Sequence, residues 1–182
     1  MKRAFDLVFS SVALLVFGIP MLLIIALLKW KEKHSIIFKQ TRIGIGIKPF
    51  EILKFQTLVD GIPTKTGAVL RKTGLDELPQ FVNVFKGEMS IVGPRALTES
   101  DIARLGWNDY FHLKRWKVKP GITGFAQLYG GQHRKTSWFF DQLYLEKHNL
   151  LIDFVLVGCS FLMNIFGKTQ VRRIIFQRKN LK

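Results

Sequence analysis

One uncharged stretch, residues 7–28, constrains the fold of this chain more than any other feature of the sequence. Its 22 residues contain no acidic or basic side chain, and a membrane-spanning helix needs about 20 apolar residues. The stretch is longer than the apolar core of a signal peptide, and the charged segment Lys29–Lys33 follows it where a small-residue cleavage site would be required. A chain of 182 residues has little protein to surround an all-apolar helix on every side. We therefore interpret residues 1–33 as a membrane helix.

Basic residues at both ends of this helix indicate how it enters the membrane. Lys2 and Arg3 precede the apolar stretch, and three lysines lie between residues 29 and 33. Because basic residues favour the cytoplasmic face, one straight span cannot satisfy both ends. Pro20 lies within the stretch, where it removes a backbone donor and interrupts helical hydrogen bonding. We favour a re-entrant helix broken at Pro20, although the charges alone leave a spanning helix open.

The composition narrows the classes of partner and excludes several classes of fold. Hydrophobic residues make up 48% of the chain, which excludes wholesale disorder. Cys159 is the single cysteine, so an internal disulfide framework and a four-cysteine zinc site are excluded. A formal net charge of +15 points to a polyanionic partner, which is a nucleic acid, an anionic lipid or a phosphorylated substrate.

The remainder of the sequence predicts a mainly helical α+β fold. Short β-prone runs flank the turn at Gly44-Ile45-Gly46 and predict a β-hairpin within residues 36–57. Residues 150–166 are apolar but too short in their uncharged part to span a bilayer, so they predict a core or interfacial helix. Residues 167–182 combine basic and apolar side chains and no acidic one, which suits an interfacial tail on an anionic membrane.

Two motifs predict where helices begin in the second half of the chain. Thr98-x-x-Asp101 has the spacing of a capping box. Thr136 or Ser137 is the expected cap of a helix that runs through Lys147.

The segment from Arg71 to Arg95 contains the highest density of candidate reactive side chains, among them the adjacent carboxylates Asp76 and Glu77. Gly74 precedes the pair and Pro79 follows it, so we expect Asp76 to be the N-cap of a helix that ends at Gly87. The helix dipole and free amides would keep such an aspartate anionic, available as a nucleophile or a metal ligand. Neighbouring residues on a helix face different ways, so different roles for the two carboxylates are expected.

Cationic side chains around the pair decide between a simple helix cap and a reactive site. An Asp-Glu pair at a helix start is usually only a cap. Here Arg71 and Lys72 lie just upstream, and Gly93-Pro94-Arg95 forms a rigid turn that carries a guanidinium. Carboxylates and guanidinium groups near a membrane are the groups that magnesium-dependent phosphoryl transfer involving a lipid phosphate requires.

At this point the chain resembles a known family, the bacterial sugar transferases, which are monotopic polyprenol-phosphate phosphoglycosyl transferases. The similarity covers nearly the whole chain, and the block from Leu75 to Arg95 is its most specific part. The matching segments are Lys2-Arg3-x-x-Asp6-Leu7, Phe38-x-Gln40-x-Arg42-x-Gly44, Lys54-Phe55-x-Thr57, Leu75–Gln80, Asn83–Ser90, Val92–Arg95, Pro120–Gly124, Ala126-Gln127, Asp141-x-x-Tyr144 and Ile152-Asp153.

The resemblance implies a reaction: transfer of a phosphosugar from a nucleoside diphosphate sugar, usually a UDP-sugar, to undecaprenyl phosphate. It implies that Asp76 is the nucleophile of a covalent intermediate and that Glu77 assists, with Mg²⁺ at this pair. The substrate phosphates or nucleotide would be bound by Lys54, Arg71, Arg95 and Gln127. Such a step initiates the synthesis of surface glycans, including exopolysaccharide, lipopolysaccharide and capsule.

The resemblance also implies a cellular setting. Residues 34–166 would be the compact catalytic domain, on the cytoplasmic face of the bacterial inner membrane with interfacial amphipathic helices around it. Membrane lipid is a further partner, nucleic acid is not expected, and downstream glycosyltransferases stay open as partners.

The sequence departs from the family pattern at a few positions, and two other classes of function stay open. The family's Pro-Arg-Pro reads Pro94-Arg95-Ala96, and Gln56 stands where a cation is usual, which affects the expected phosphate contacts more than the reaction class. One alternative is a membrane-tethered module that binds nucleic acid or anionic lipid through its charge and through aromatic residues such as Trp107, Tyr110 and Trp116. The other is a catalytically silent family member that acts as an interaction subunit.

Overall fold

The structure is a computed structural model of the chain, and it describes residues 1–32, 34–130 and 134–175. The chain forms two compact units. The first contains Met1–Arg42 and Pro49–Ile91, and the second contains Ile43–Lys48 and the chain from Val92 onward. Residues 176–182 of the predicted basic tail lie outside the described residues.

The first unit combines the N-terminal helix with a hairpin, a small ladder and two further helices. Its elements are α1 (Lys2–Lys31), β1 (Ile37–Ile43), β2 (Pro49–Phe55), β3 (Leu58–Val59), β4 (Ile62–Pro63), α2 (Lys65–Thr73), a 3₁₀ turn (Leu75–Glu77), α3 (Gln80–Lys86) and β5 (Ser90–Val92). The last residues of β1 and β5, Ile43 and Val92, already belong to the second unit. Strands β1 and β2 pair, which confirms the predicted hairpin, and β3 pairs antiparallel with β4.

Helix α1 has one side packed on protein and an exposed apolar side. It is long and apolar enough to cross a membrane. Its buried residues are Asp6, Ser10, Ala13, Ile24 and Leu28, whereas many of its other large apolar side chains are exposed. Because exposed apolar surface of this extent is unfavourable in water, the helix fits a lipid environment.

The helix runs without interruption through Pro20. The proline ring removes the hydrogen bond that its nitrogen would donate to the carbonyl of Val16, four residues earlier. The predicted break is therefore a missing hydrogen bond inside a continuous helix. The re-entrant path through a bilayer stays a prediction.

Polar contacts attach the first turns of α1 to the first unit. The guanidinium of Arg3 donates to the carbonyl oxygens of Val84 and Phe85, at 2.7 Å each, at the C-terminal end of α3. The buried carboxylate of Asp6 accepts hydrogen bonds from the Ser90 hydroxyl at 2.8 Å and from the next backbone N–H at 3.0 Å. The bonds from Arg3 supply donors to carbonyl groups in the last turn of α3, where a helix lacks donors of its own.

The other end of α1 completes the apolar core of the first unit. Ile24 and Leu28 pack with Phe55 of β2, Leu70 of α2 and Leu78. Burial of these side chains stabilises the unit by about 1.5–3 kcal/mol each. Both ends of the helix therefore contact the same unit.

The described part of the second unit is mainly helical. Its elements are a 3₁₀ turn (Ile45–Ile47), α4 (Glu99–Leu105), a 3₁₀ helix (Tyr110–Lys117), β6 (Gly121–Thr123), α5 (Phe125–Tyr129), α6 (Arg134–Lys147), α7 (Leu150–Phe166) and α8 (Lys168–Ile175). The mainly helical α+β class is thus confirmed.

The predicted helix boundaries in this unit have mixed outcomes. The capping box of Thr98 and Asp101 is present with both of its hydrogen bonds, and α7 covers the apolar segment predicted as a helix. Helix α6 ends at Lys147 as expected, but Thr136 and Ser137 lie inside it, so their prediction as its cap is wrong. Both residues tolerate a helix interior, and the chain enters the helix before reaching them.

Candidate active site

A glycine-led turn positions the two carboxylates. Helix α2 ends at Gly74, whose φ of +75° is left-handed and favours glycine. The chain then makes a 3₁₀ turn over Leu75–Glu77, and α3 begins only after Pro79. Asp76 therefore lies in the middle of a 3₁₀ turn, and its prediction as the N-cap of the following helix is wrong. The glycine reverses the chain so close to Asp76 that the tighter i→i+3 geometry is the one available.

Asp76 is a buried carboxylate with cations around it. The residue is 7% exposed. Burial raises the pKa of Asp76 above its ordinary value of 3.8, and the negative charge of Glu77 adds to the rise. The positive charges of Lys54 and Arg71 oppose that rise. A carboxylate with little water around it and positive charge beside it is suited to nucleophilic attack on a phosphate.

Glu77 turns outward and pairs with a lysine from the hairpin. The Nζ of Lys54, in β2, lies 2.6 Å from Oε1 of Glu77. The Glu77 side chain is 40% exposed, in contrast to its buried neighbour Asp76. The two carboxylates thus have different surroundings, as their adjacency in the sequence predicts.

Helix α2 positions Arg71 close enough to Asp76 for its positive charge to act on that carboxylate. Its first turn is capped by Thr64, whose hydroxyl accepts a hydrogen bond from the N–H of Gly67 at 3.0 Å. A Cβ at Gly67 would collide with the backbone carbonyl of Thr57, so glycine permits this close approach. Arg71, in the last turn, donates from Nη1 to the Thr57 hydroxyl at 3.4 Å.

The carboxylate pair is compatible with a magnesium ion shared with a substrate. Among residues 1–32, 34–130 and 134–175, no group of three or more His, Cys, Asp or Glu side chains is placed to hold a metal. Magnesium sites at phosphate substrates commonly use one or two protein carboxylates, with phosphate oxygens and water completing the shell. Asp76 and Glu77 supply that donor set, although one Glu77 oxygen is already bound by Lys54.

Two predicted ligands, Arg95 and Gln127, belong to the second unit. Arg95 is exposed, and both of its neighbours in sequence are buried. Gln127, in α5, donates from its side-chain nitrogen to the carbonyl oxygens of Gly93 at 3.2 Å and Gly121 at 3.1 Å. The structure thus brings Lys54, Arg71, Asp76 and Glu77 together within one unit, and it places the remaining two in the other.

Several polar side chains of the two units, each taken by itself, had no predicted role. Thr57 contacts Arg71, Asn83 joins α3 to β2, and Arg115 forms a buried ion pair with Asp141. Tyr144 donates to a backbone carbonyl in the second unit. All of these residues except Arg115 lie in the sequence segments that match the family, and this match was the signal that could have identified them. Arg115 lies outside those segments, so the sequence carried no signal for its role.

The aromatic residues offered as a nucleic-acid footprint are mostly core. Trp107 and Trp116 are buried, and Tyr110 is exposed. Trp107 packs with Leu97, Leu105 and Trp138 in the core of the second unit. Buried indole rings cannot act as stacking platforms for bases.

Comparison with known proteins assigns the family. The sequence profile named "Bacterial sugar transferase" matches residues 1–167. The chain belongs to the bacterial sugar transferase family. It is 35% identical to the exopolysaccharide production protein ExoY of Rhizobium meliloti, with 86% of this chain and 81% of that protein covered.

Other relatives of this bacterial sugar transferase carry names that state an activity. It is 39% identical to the UDP-glucose:undecaprenyl-phosphate glucose-1-phosphate transferase of Escherichia coli, with 85% of this chain and 35% of that protein covered. It is 31% identical to the UDP-N-acetylgalactosamine-undecaprenyl-phosphate N-acetylgalactosaminephosphotransferase of Aeromonas hydrophila, with 86% and 41% covered. The chain therefore spans about two fifths or less of these two larger proteins.

Proposed function

We propose that this bacterial sugar transferase moves a phosphosugar from a UDP-sugar to undecaprenyl phosphate and releases UMP. The observation that carries the proposal is the environment of Asp76, a buried carboxylate with Glu77, Lys54 and Arg71 around it. The names of the Escherichia coli and Aeromonas hydrophila relatives support the reaction class and the lipid acceptor.

The proposed chemistry consists of two displacements at one phosphorus atom. In the first, a carboxylate oxygen of Asp76 attacks the β-phosphorus of the donor. An O–P bond to Asp76 forms while the bond to the bridging oxygen breaks, and UMP leaves with that oxygen and its electron pair. In the second, a phosphate oxygen of undecaprenyl phosphate attacks the same phosphorus. The aspartyl O–P bond then breaks and Asp76 is regenerated as a carboxylate.

A nucleophile of this kind requires little water around it and positive charge beside it, and the surroundings of Asp76 provide both. Burial removes water that would otherwise solvate the carboxylate or hydrolyse the intermediate. Lys54 and Arg71 keep positive charge beside it, which favours the anionic form and attracts the donor phosphates. We assign Lys54 and Arg71 to phosphate binding, and Arg95 of the second unit to a phosphate or the nucleotide.

We also propose that Mg²⁺ serves as cofactor, held by Asp76 and Glu77. When bound, the ion would neutralise charge on the phosphate oxygens of the donor. Glu77 has the exposure needed to reach a shared ion or to orient the lipid phosphate. Lys54 holds the Glu77 side chain in place at 2.6 Å.

The proposed location is the cytoplasmic face of the inner membrane. The long apolar helix α1 supports attachment to a membrane. The basic residues that flank both ends of the apolar stretch support an entry and an exit on one side. Undecaprenyl phosphate would then present its phosphate at the headgroup level, where a membrane-attached catalytic unit can reach it.

The test is an assay of UMP release and of covalent labelling with the full chain in phosphatidylethanolamine and phosphatidylglycerol vesicles. A panel of UDP-sugars is incubated with undecaprenyl phosphate, once with MgCl₂ and once with EDTA. We expect at least one donor to give UMP and undecaprenyl-diphospho-sugar with magnesium, and none with EDTA. Without the lipid, the sugar-phosphate label should stay on acid-denatured enzyme.

Asp76→Asn is the decisive variant, and Asp60→Asn is its matched control on an exposed loop of the same unit. Loss of the nucleophile should lower UMP release by at least about 10³-fold and abolish the label, whereas the control should behave as wild type. Full activity of Asp76→Asn would refute the proposed nucleophile. If no donor yields UMP, the chain is a silent family member or a binding module, and vesicle or partner binding that Asp76→Asn leaves intact would identify it.

A further inference from the structure

A run of backbone carbonyls in the second unit is held by side chains from distant parts of that unit. We call residues Val92–Arg95 the arginine turn. The hydroxyl of Tyr144, in α6, shares its one proton between the carbonyl of Val92 at 2.8 Å and Oδ1 of Asp153 at 3.0 Å. The side-chain amide of Gln127, in α5, donates to the carbonyl of Gly93 at 3.2 Å. Two helices thus supply one donor each to successive peptide groups.

The remaining two carbonyls of the arginine turn are held as well. The N–H of Gly121 donates to the carbonyl of Pro94 at 2.8 Å. The guanidinium of Arg115 donates to the carbonyl of Arg95. All four carbonyls of the turn therefore have a donor, and none of these donors comes from the turn itself.

The Arg115 donor is itself immobilised. Its Nε lies 2.7 Å from Oδ2 of Asp141, and both side chains are almost completely buried. Its guanidinium also lies 4.8 Å from the ring centre of Trp116 and 5.5 Å from that of Trp107. A buried ion pair with further aromatic contacts gives the guanidinium one well-defined position.

Close backbone packing leaves the arginine turn no room to shift. A Cβ at Gly121 would collide with the backbone nitrogen of Gly93, and a Cβ at Gly124 would collide with the carbonyl of Gly93. In contrast, the Arg95 side chain is exposed and available to bind a ligand. Arg95 alone is exposed among residues 91–97, and within the described ranges its guanidinium has no hydrogen-bond or ion-pair partner.

We propose that Gln127, Tyr144 and the Arg115–Asp141 pair are positioning residues that act on the reaction through Arg95. They hold the backbone from which the Arg95 guanidinium reaches a phosphate or the nucleotide of the donor. Preorganisation of this kind lowers the cost of ordering the guanidinium when the donor binds. The inference rests on the proposed function, which assigns Arg95 to the donor.

This inference also revises the expected role of Gln127. Both N–H groups of its side-chain amide are used, one on Gly93 and one on Gly121. Gln127 therefore has no amide hydrogen left to donate to a substrate. It contributes to donor binding by holding the arginine turn.

The test is a double-mutant cycle on the full chain in the same vesicles. KM and kcat for the UDP-sugar selected by the panel are measured for wild type, Gln127→Met, Arg95→Ala and the double variant. Methionine keeps the size of glutamine and removes both donors. We expect Gln127→Met to raise KM about tenfold in the wild-type background, and by less than about twofold in the Arg95→Ala background. Tyr110→Phe, which removes an exposed hydroxyl, serves as the control and should leave KM unchanged.

Each other outcome has a defined meaning. An equal rise of KM in both backgrounds, or no rise in Gln127→Met, would overturn the positioning role. If Gln127→Met does not fold, Tyr144→Phe takes its place in the same cycle with the same expectations. If Arg95→Ala alone leaves KM and kcat unchanged, the assignment of Arg95 to the donor fails, while covalent labelling of Asp76 still decides the reaction class separately.

Discussion

At the scale of single residues, the proposed nucleophile Asp76 carries a cost in stability. Burial and the neighbouring Glu77 raise its pKa, so the ionised form is less favourable in the folded protein than in the unfolded chain. The cations of Lys54 and Arg71 reduce this penalty without removing it, since the pKa remains above 3.8. Buried charges that lower stability are typical of active sites.

The raised pKa predicts how the stability of the protein depends on pH. Between 3.8 and the higher folded-state pKa of Asp76, the folded protein binds more protons than the unfolded chain, so stability falls as pH rises through this window and stays lower above it. Asp76→Asn lacks this effect. We therefore expect its melting temperature to exceed that of wild type at pH 7, with the difference vanishing toward pH 3.8. Thermal unfolding in detergent between pH 4 and pH 8 measures it.

The exposed Asp60 provides the control for this comparison. Asp60→Asn removes one carboxylate from an exposed loop position, and its melting temperature should follow that of wild type at each pH. A lower melting temperature for Asp76→Asn at pH 7 would mean that Lys54 and Arg71 outweigh burial.

At the scale of secondary-structure elements, one asparagine joins α3 to the hairpin. Asn83 is 1% exposed. Its side-chain oxygen accepts from the N–H of Leu53 at 3.0 Å, and its nitrogen donates to the carbonyl of Glu51 at 2.7 Å. Both partners belong to β2, which carries Lys54. The position of Lys54 beside Glu77 therefore depends on this junction.

We expect Asn83→Ala to weaken the first unit considerably. It would leave an N–H and a carbonyl of β2 without their partner. Each unsatisfied group costs about 1–3 kcal/mol, so the free energy of unfolding should fall by about 2–6 kcal/mol. Urea unfolding followed by tryptophan fluorescence measures the change. Asn108→Ala, at an exposed position, should differ little from wild type. Equal stability of the two variants would show that water replaces the Asn83 bonds.

At the scale of the whole molecule, the relation of α1 to the membrane governs access to the lipid substrate. Arg3 and Asp6 near one end, and Leu28 near the other, contact the first unit. A helix that crossed the bilayer once would place these ends on opposite sides. The flanking charges predict a re-entrant arrangement instead, in which both ends lie on one side.

Labelling from one side of the membrane tests this arrangement. Ala4→Cys and Glu32→Cys are introduced separately into a Cys159→Ser background, and vesicles of known orientation are treated with a membrane-impermeant maleimide. We expect both cysteines to react from the side on which Asp60→Cys, an exposed position of the first unit, reacts. Reaction of Ala4→Cys and Glu32→Cys from opposite sides would establish a spanning helix instead.

The sequence by itself determined the properties that depend on local pattern. The uncharged run of residues 7–28 predicted α1, and the spacing of Thr98 and Asp101 predicted a capping box. The family-like segments of the sequence identified the bacterial sugar transferases. Local patterns suffice here because helix formation and capping depend on residues a few positions apart.

The tertiary structure decided what depends on residues far apart in the chain. It placed Asp76 in a 3₁₀ turn, paired Lys54 with Glu77, and assigned the amide of Gln127 to the arginine turn. These features arise from hydrogen bonds between elements, and the residues that they join are separated by 23 positions for Lys54 and Glu77 and by 34 for Gln127 and Gly93. No local pattern encodes such a pairing, because which donor meets which carbonyl follows from the packing of the folded chain.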